Sequence, residues 1–533
     1  MPKVLFGVLM VSSCLCAASF KEAVPTLFMV ADFADTGLYC QEGAKRGYTD
    51  RPTVRELASR VDKLVSEKAF GGVLFKGMWT PAGLSARINH LRSIAKGPLI
   101  FAQDLEWGLS MRHFGAVEMP KALCMGAISD DTLLEAWADV LAKTAREVGI
   151  TCFLGPVADV NSNPKNPVIH DRSFGDDPEA VAHKVNVVVN ALRRHGLLVC
   201  LKHFPGHGDT SEDTHTHLPI VEKTWDQLLA TELVPFRSGI DAQADCVMTA
   251  HISFPKTSGG TAPASLSPFW CQALRSELGF RGVVITDDLI MAGACGSMTC
   301  AQTAVQALKA GNDLCIVSFD VEKCIDGTLK AVEAGELREE DLCVSISKVQ
   351  GLQTYALPAE EPSTLPSQIQ LHNLLYQRAL TAVGGSFHFS PSSTLLLQVG
   401  DAALCPLIRD LVQAYPAAQV EAWRRQPRQE EVDGLFSTLK KKTDLLVVLC
   451  DLERSASRSF GVSEELVKGL QQVVDTGTKV RYVIFGSPYV LALLPKPITA
   501  ALVAYENTPG SERAVFLALS GALEPTGVLP VRP

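Results

Sequence analysis

A chain of 533 residues is too long for one ordinary hydrophobic core, because cores stop growing at roughly 250–300 residues and longer chains divide into domains. With 47% hydrophobic and 20% charged residues, and 49 Lys+Arg against 58 Asp+Glu, the composition is that of a soluble globular protein. Its acidic balance speaks against a nucleic-acid partner, which would need a concentrated basic face.

The chain opens with Lys3, an apolar run from Val4 to Val11, and then small residues, the layout of a secretory signal over residues 1–20. Export is the expectation, to a bacterial periplasm or to a membrane surface. Val11-Ser12-Ser13-Cys14 looks like a bacterial lipobox, in which Cys14 would carry lipid and anchor the mature protein; Ala17 to Ser19 offers an ordinary cleavage site instead. The alternative is a first buried element of a cytoplasmic protein. Of the fifteen cysteines, Cys152, Cys200, Cys246, Cys315 and Cys450 lie inside apolar runs, where Cys acts as a small hydrophobe, and no CxxC pair suggests a zinc or redox motif.

From Pro25 to about Tyr355, eight short apolar runs alternate with helical patterns. The runs are LFMV (27–30), GGVLFKG (71–77), LIFAQD (99–104), ITCFLGP (150–156), LLVCLKHFPG (197–206), DCVMTAHI (245–252), GVVITDD (282–288) and DLCIVS (313–318). Helical spacing fills the gaps, for instance from Asp131 and from Asp177. Continuous apolar strands separated by helices predict a parallel sheet covered on its outside, and eight such units predict a (β/α)8 TIM barrel over residues 21–355. A Pro-rich linker, 356–367, then leads to a smaller α/β sandwich domain, 368–533, with a mostly parallel sheet built on TLLLQVGD, DLLVVLCD, VRYVIFG and ITAALVAYEN.

Active sites of such barrels lie at the carboxyl ends of the strands, so polar residues that end apolar runs are the candidates. Run three ends in Asp104, run five in Lys202-His203 followed by PGHGDTSEDTHTH, run six in His251 and run seven in Asp287-Asp288. Helix capping would explain one or two of these charges, not all of them at one end of one barrel. Asp287 directly ends GVVIT and suits a nucleophilic carboxylate pointing into the barrel mouth, with Asp288 turned away as a cap or supporting group. In Asp213-Thr214-His215 the carboxylate can orient an imidazole that titrates near neutral pH, which suits proton transfer, and the surrounding Gly and Pro predict a mobile loop.

These residues resemble glycoside hydrolase family 3, and within it the bacterial β-N-acetylglucosaminidases (β-hexosaminidases) that trim cell-wall muropeptides. KHFPGHGDTSEDTH (202–215) looks like their signature, and NPVIHDRSFGDDPEAVA, MTAHISFP and VVITDDLIM are similar to three further family blocks in the same order. The resemblance implies Asp287 as nucleophile, His215 as acid/base and Asp213 as its orienting partner. It also implies that Asp104, Arg112, Arg172, Lys202 and His203 hold the non-reducing sugar. The alternative for Arg172 is a salt bridge to Asp176 or Asp177.

The implied substrate is an N-acetylglucosamine-containing glycan or muropeptide, cleaved with retention through a glycosyl-enzyme and without a cofactor. Because a neutral imidazole does not repel anions, phosphorolysis is a side possibility. The chain departs from the family at Glu106-Trp107-Gly108-Leu109, where an acidic residue, two glycines and Arg are usual; Trp107 would stack on sugar, narrow the pocket or pack beneath the loop. Two other classes compete. One is a metal-dependent amide hydrolase using His203, His207, His215, His217 and His251, against which stands the missing HxH on run one. The other is a non-catalytic cell-wall-binding protein on the same scaffold.

Overall fold

The computed structural model describes residues 17–44, 51–214, 217–257, 260–354, 366–385, 387, 389–400, 403–440, 442–450, 452–453 and 456–533. Residues 1–16 with Cys14, most of the expected linker (356–365) and His215 lie outside the described residues.

All eight apolar runs are strands: β1 (Phe28–Phe33), β2 (Gly72–Lys76), β3 (Ile100–Gln103), β4 (Cys152–Phe153), β5 (Leu198–Phe204), β6 (Cys246–Thr249), β7 (Val283–Thr286) and β8 (Cys315–Val317). They pair in parallel in the order β7-β6-β5-β4-β3-β2-β1-β8. The ring closes between β7 and β8 through the Ile285–Leu314 bridge and the bond from Thr286 N–H to Leu314 O at 3.0 Å. This is a (β/α)8 barrel.

Alternation along the strands sorts the side chains into two sets. Leu74, Ile100, Ala102, Leu198, Cys200, Cys246, Met248, Val283 and Ile285 fill the barrel interior as one buried cluster, while Val73, Phe75, Phe101, Val199, Leu201, Val247 and Val284 belong to the main core, where the surrounding helices pack. Cys152, Cys200 and Cys246 are free thiols within that interior. The covering helices form where the spacing demands: Asp131–Glu147 is capped by Asp130, Pro178–Arg194 by Asp177, and each turns its apolar stripe inward.

The second domain holds six strands: β9 (Thr381–Gly384), β10 (Thr394–Val399), β11 (Gln419–Trp423), β12 (Asp444–Leu449), β13 (Lys479–Ile484) and β14 (Ala500–Val503). Their order is β11-β10-β12-β13-β14-β9, parallel except for β9. The four expected strands form the centre. Both edges, β9 and β11, escape the sequence reading because each is short and largely half-buried or exposed.

The carboxyl ends of this second sheet face the barrel. Past β12, Phe460 stacks near His170; past β13, Ser487 bonds His170 and Tyr489 accepts from Asn161; past β14, Glu506 accepts from the Lys121 backbone.

Candidate active site

Asp104, Lys202 and Asp287 each stand two residues beyond an interior-facing side chain, respectively Ala102, Cys200 and Ile285. The alternation that fills the barrel thus delivers these three to its mouth. Lys202, 2% exposed, donates to Asp104 Oδ1 at 2.7 Å and reaches Glu106 Oε1 at 2.8 Å. Arg112 donates to Asp104 Oδ2 at 3.3 Å, and its buried Nε has no partner.

Arg172 does not pair with Asp176 or Asp177. It grips Glu106 with two prongs, Nε to Oε2 at 2.8 Å and Nη2 to Oε1 at 2.9 Å. The two aspartates are used elsewhere: Asp177 caps its helix and Asp176 accepts from Arg532 N–H.

The electrostatics follow from this array. Burial alone would raise the Asp104 carboxyl, but Lys202 and then Arg112 overcome it and hold it at about 2. Burial also opposes ionisation of Glu106, and Arg172 with Lys202 drives it well below the usual carboxylate range. Lys202 is held above its ordinary value despite burial, by Asp104 and Glu106. Asp104, Glu106 and Lys202 are therefore charged at neutral pH, and with the Arg172 guanidinium they form a fixed set of donors and acceptors suited to a polyhydroxylated ring.

His203 is oriented by a residue the sequence reading missed. Asp159, fully buried, faces His203 Nδ1 at 2.8 Å through Oδ2, while its Oδ1 accepts the backbone N–H of His203 at 3.1 Å and of His207 at 2.7 Å. With Nδ1–H given to Asp159, Nε2 faces Arg172 as an acceptor at 3.5 Å.

Asp287 donates its backbone N–H to Thr249 O at 3.0 Å, and its Oδ1 accepts from Asp288 N–H at 2.7 Å. Asp288 is the supporting group expected. Its carboxylate takes the Lys76 ammonium at 2.7 Å, the Ser318 hydroxyl, and the Ile290 N–H at 3.3 Å. Beneath Asp287, His251 has Nδ1 on the Ser265 hydroxyl at 2.7 Å and Nε2 on Asp288 O at 3.1 Å.

The loop after β5 comes back over this end of the barrel: Gly293 N–H bonds Thr214 O at 3.1 Å, and a side chain at Gly293 would meet both His217 O and His251 O at 3.0 Å. Within the same loop, Asp213 O accepts from His217 N–H at 3.0 Å. The glycines read as loop flexibility have a packing reason as well. A Cβ on Gly208 would lie 1.5 Å from Val160 O, and Asn166 clamps His207 O at 2.7 Å. Among the described residues, no three His, Cys, Asp or Glu side chains group as metal ligands.

The profile of the Glycosyl hydrolase family 3 N terminal domain matches residues 44–352, more than half of the chain. The chain belongs to glycosyl hydrolase family 3. As a family 3 glycoside hydrolase it is similar to "Beta-hexosaminidase A" of Pseudoalteromonas piscicida, 31% identical over 64% of this chain and 63% of the relative, so the chain spans under two thirds of that protein. It is 36% identical to "Beta-hexosaminidase" of Xylella fastidiosa (strain M23) over 49% of this chain and 79% of the relative.

Among solved structures, a family 3 β-N-acetylglucosaminidase from Paenibacillus sp. str. FPU-7 superposes with a TM-score of 0.76 at 28% identity, covering 96% of this chain and 98% of that one. A β-N-acetylhexosaminidase from Beutenbergia cavernae DSM 12333 matches at TM-score 0.54 and 27% identity, covering 63% of this chain and 99% of that one.

The departure at residues 106–109 is now legible in part. Glu106 is ion-paired with Lys202 and Arg172, and the half-buried Trp107 carries the Lys121 ammonium 5.6 Å from its ring centroid.

Proposed function

We propose that this family 3 enzyme is an exo-acting β-N-acetylglucosaminidase that releases terminal β-linked N-acetylhexosamine with retention. The observation that carries the reading is the ion-paired array Asp104–Lys202–Glu106–Arg172 at the same strand ends as Asp287. The array suits the hydroxyls of a terminal sugar, and Asp287 suits attack on its anomeric carbon. The relatives named as β-hexosaminidases and β-N-acetylglucosaminidase support the acetamido preference.

In the proposed cycle, an Asp287 carboxylate oxygen forms a bond to the anomeric carbon as the bond to the leaving oxygen breaks, and His215 gives that oxygen a proton. Water then attacks the glycosyl-enzyme, His215 takes the water's proton, and Asp287 is freed. Asp213 orients His215. Peptidoglycan fragments are the proposed source of substrate. Export to a periplasm, or anchoring through Cys14, is the proposed location, resting on the composition of the first twenty residues.

The test is incubation of the protein, and of an Asp287→Ala variant, with a chromogenic N-acetyl-β-glucosaminide and its glucoside counterpart. Release from the former alone, abolished in the variant, with the β-anomer appearing first by NMR, is the expected result. No release from either substrate overturns the proposal, and a sugar 1-phosphate formed in added phosphate redirects it to phosphorolysis.

A further inference from the structure

The second domain sends one acidic side chain to the barrel beside the sugar site. Glu506, 8% exposed and three residues past β14, accepts the backbone N–H of Lys121 at 2.8 Å, and its other carboxylate oxygen lies 3.9 Å from Lys121 Nζ. Lys121 Nζ in turn donates to Asp171 Oδ2 at 2.9 Å and sits over the Trp107 ring. Trp107 directly follows Glu106, and Asp171 directly precedes Arg172. One ammonium therefore holds the chain neighbours of both partners in the Glu106–Arg172 pair, which reaches Lys202 and Asp104 in turn.

We infer that Glu506 is a positioning residue for the sugar site. It fixes Lys121, Lys121 fixes Trp107 and Asp171, and these set the spacing at which Glu106 and Arg172 meet and face the sugar.

Three observations exclude a merely decorative contact. Each member is largely buried, with side-chain exposures of 12% for Lys121, 13% for Asp171 and 7% for Glu506, so the array is little screened by solvent. Although burial opposes its charge, Asp171 and then Glu506 hold the Lys121 ammonium above its ordinary value. The same loop is gripped a second time, because His170 lies between the Ser487 hydroxyl, at 3.0 Å, and the Phe460 and Tyr489 rings of the second domain. Trp107 thus gives the ammonium an aromatic face to rest on, and Glu506 keeps it there.

The inference deepens the proposed function and rests on it. Lys121→Met, Glu506→Ala and Glu506→Gln are compared with the parent for kcat and KM on the chromogenic N-acetyl-β-glucosaminide, for binding of N-acetylglucosamine by calorimetry, and for Tm. Gln keeps the acceptor for the Lys121 N–H.

The expected result is a KM, and a dissociation constant for the sugar, raised about tenfold or more in Glu506→Ala and Lys121→Met, with kcat within about threefold and near-parental values in Glu506→Gln. Unchanged KM and binding in a folded Lys121→Met or Glu506→Ala overturn the inference. So does a loss of kcat and Tm together in all three, Gln included. If Glu506→Ala does not fold, the Lys121→Met and Glu506→Gln pair decides by the same criteria. A parent that neither cleaves the substrate nor binds the sugar overturns the underlying functional reading instead.

Discussion

Glu106 and Arg172, 66 residues apart in the chain, meet through two parallel hydrogen bonds of 2.8 and 2.9 Å at the mouth of the barrel. The pair joins the loop after β3 to the loop after β4, and Lys202 of β5 completes it from beneath. Removing Glu106 leaves two cations in a little-hydrated place. Glu106→Ala should cost ~3–5 kcal/mol of unfolding free energy, the usual penalty for breaking one side of a buried pair, read as a lower urea midpoint at unchanged slope.

Asp287→Asn should keep the fold and lower kcat by roughly a thousandfold or more, since it removes the carboxylate proposed to form the covalent bond to the anomeric carbon. His215→Ala should lower kcat/KM by roughly 10²–10⁴ on a disaccharide, where the leaving oxygen needs a proton. On a nitrophenyl glycoside, whose leaving group departs as an anion, the loss should be much smaller. Equal losses on both substrates would remove His215 from the acid role.

Glu506 links stability to pH with an unusual sign. Burial, only partly offset by Lys121, pushes its carboxyl from the ordinary 4.5 to about 7. The folded chain thus keeps this proton where the unfolded chain has lost it. The stability it confers is fully present below about 4.5 and is lost as pH rises through about 7. Glu506→Gln cannot ionise, so its unfolding free energy should gain on the parent by ~3 kcal/mol between pH 4.5 and pH 8. A constant difference across that range would contradict the assignment.

His113 and His207 act the other way. Burial lowers both to about 4, with His113 Nε2 bonded to Gln103 at 2.8 Å and His207 Nδ1 to Thr210 at 2.9 Å. Their contribution is present above the ordinary 6.5 and is lost as pH falls toward 4, ~3 kcal/mol each. Denaturation of His113→Gln and His207→Gln should accordingly show a weaker fall in stability between pH 6.5 and 4 than the parent, whatever their stability at pH 7.

The barrel was legible because its strands are continuous apolar runs: seven observed strands lie within the runs that announced them, and β1 starts in LFMV and runs on to Phe33. Asp104, Lys202 and Asp287 were legible for the same reason: alternation carries an interior position one step further, to the mouth. Asp159 was not, because β4 is only Cys152–Phe153 and its polar end comes six residues later, beyond any periodic signal. The Lys121–Glu506 contact spans 385 residues and two domains, so no local pattern marks either residue. The Glu106 partner of Arg172 was not legible, because Glu106 lies 66 residues away in the chain and is near only in space.

The meeting of two sets of strand ends bears on how such enzymes can be recombined. A chimera that grafts this barrel, cut after Thr354, onto a foreign partner would transplant the Arg172 loop without its backstop. The ring of His170, the amide of Asn161 and the ammonium of Lys121 would each lose the surface they now lean on. For this chain the natural unit of exchange is the barrel together with Phe460, Ser487, Tyr489 and Glu506, four positions that travel in the second half of the sequence and serve the first.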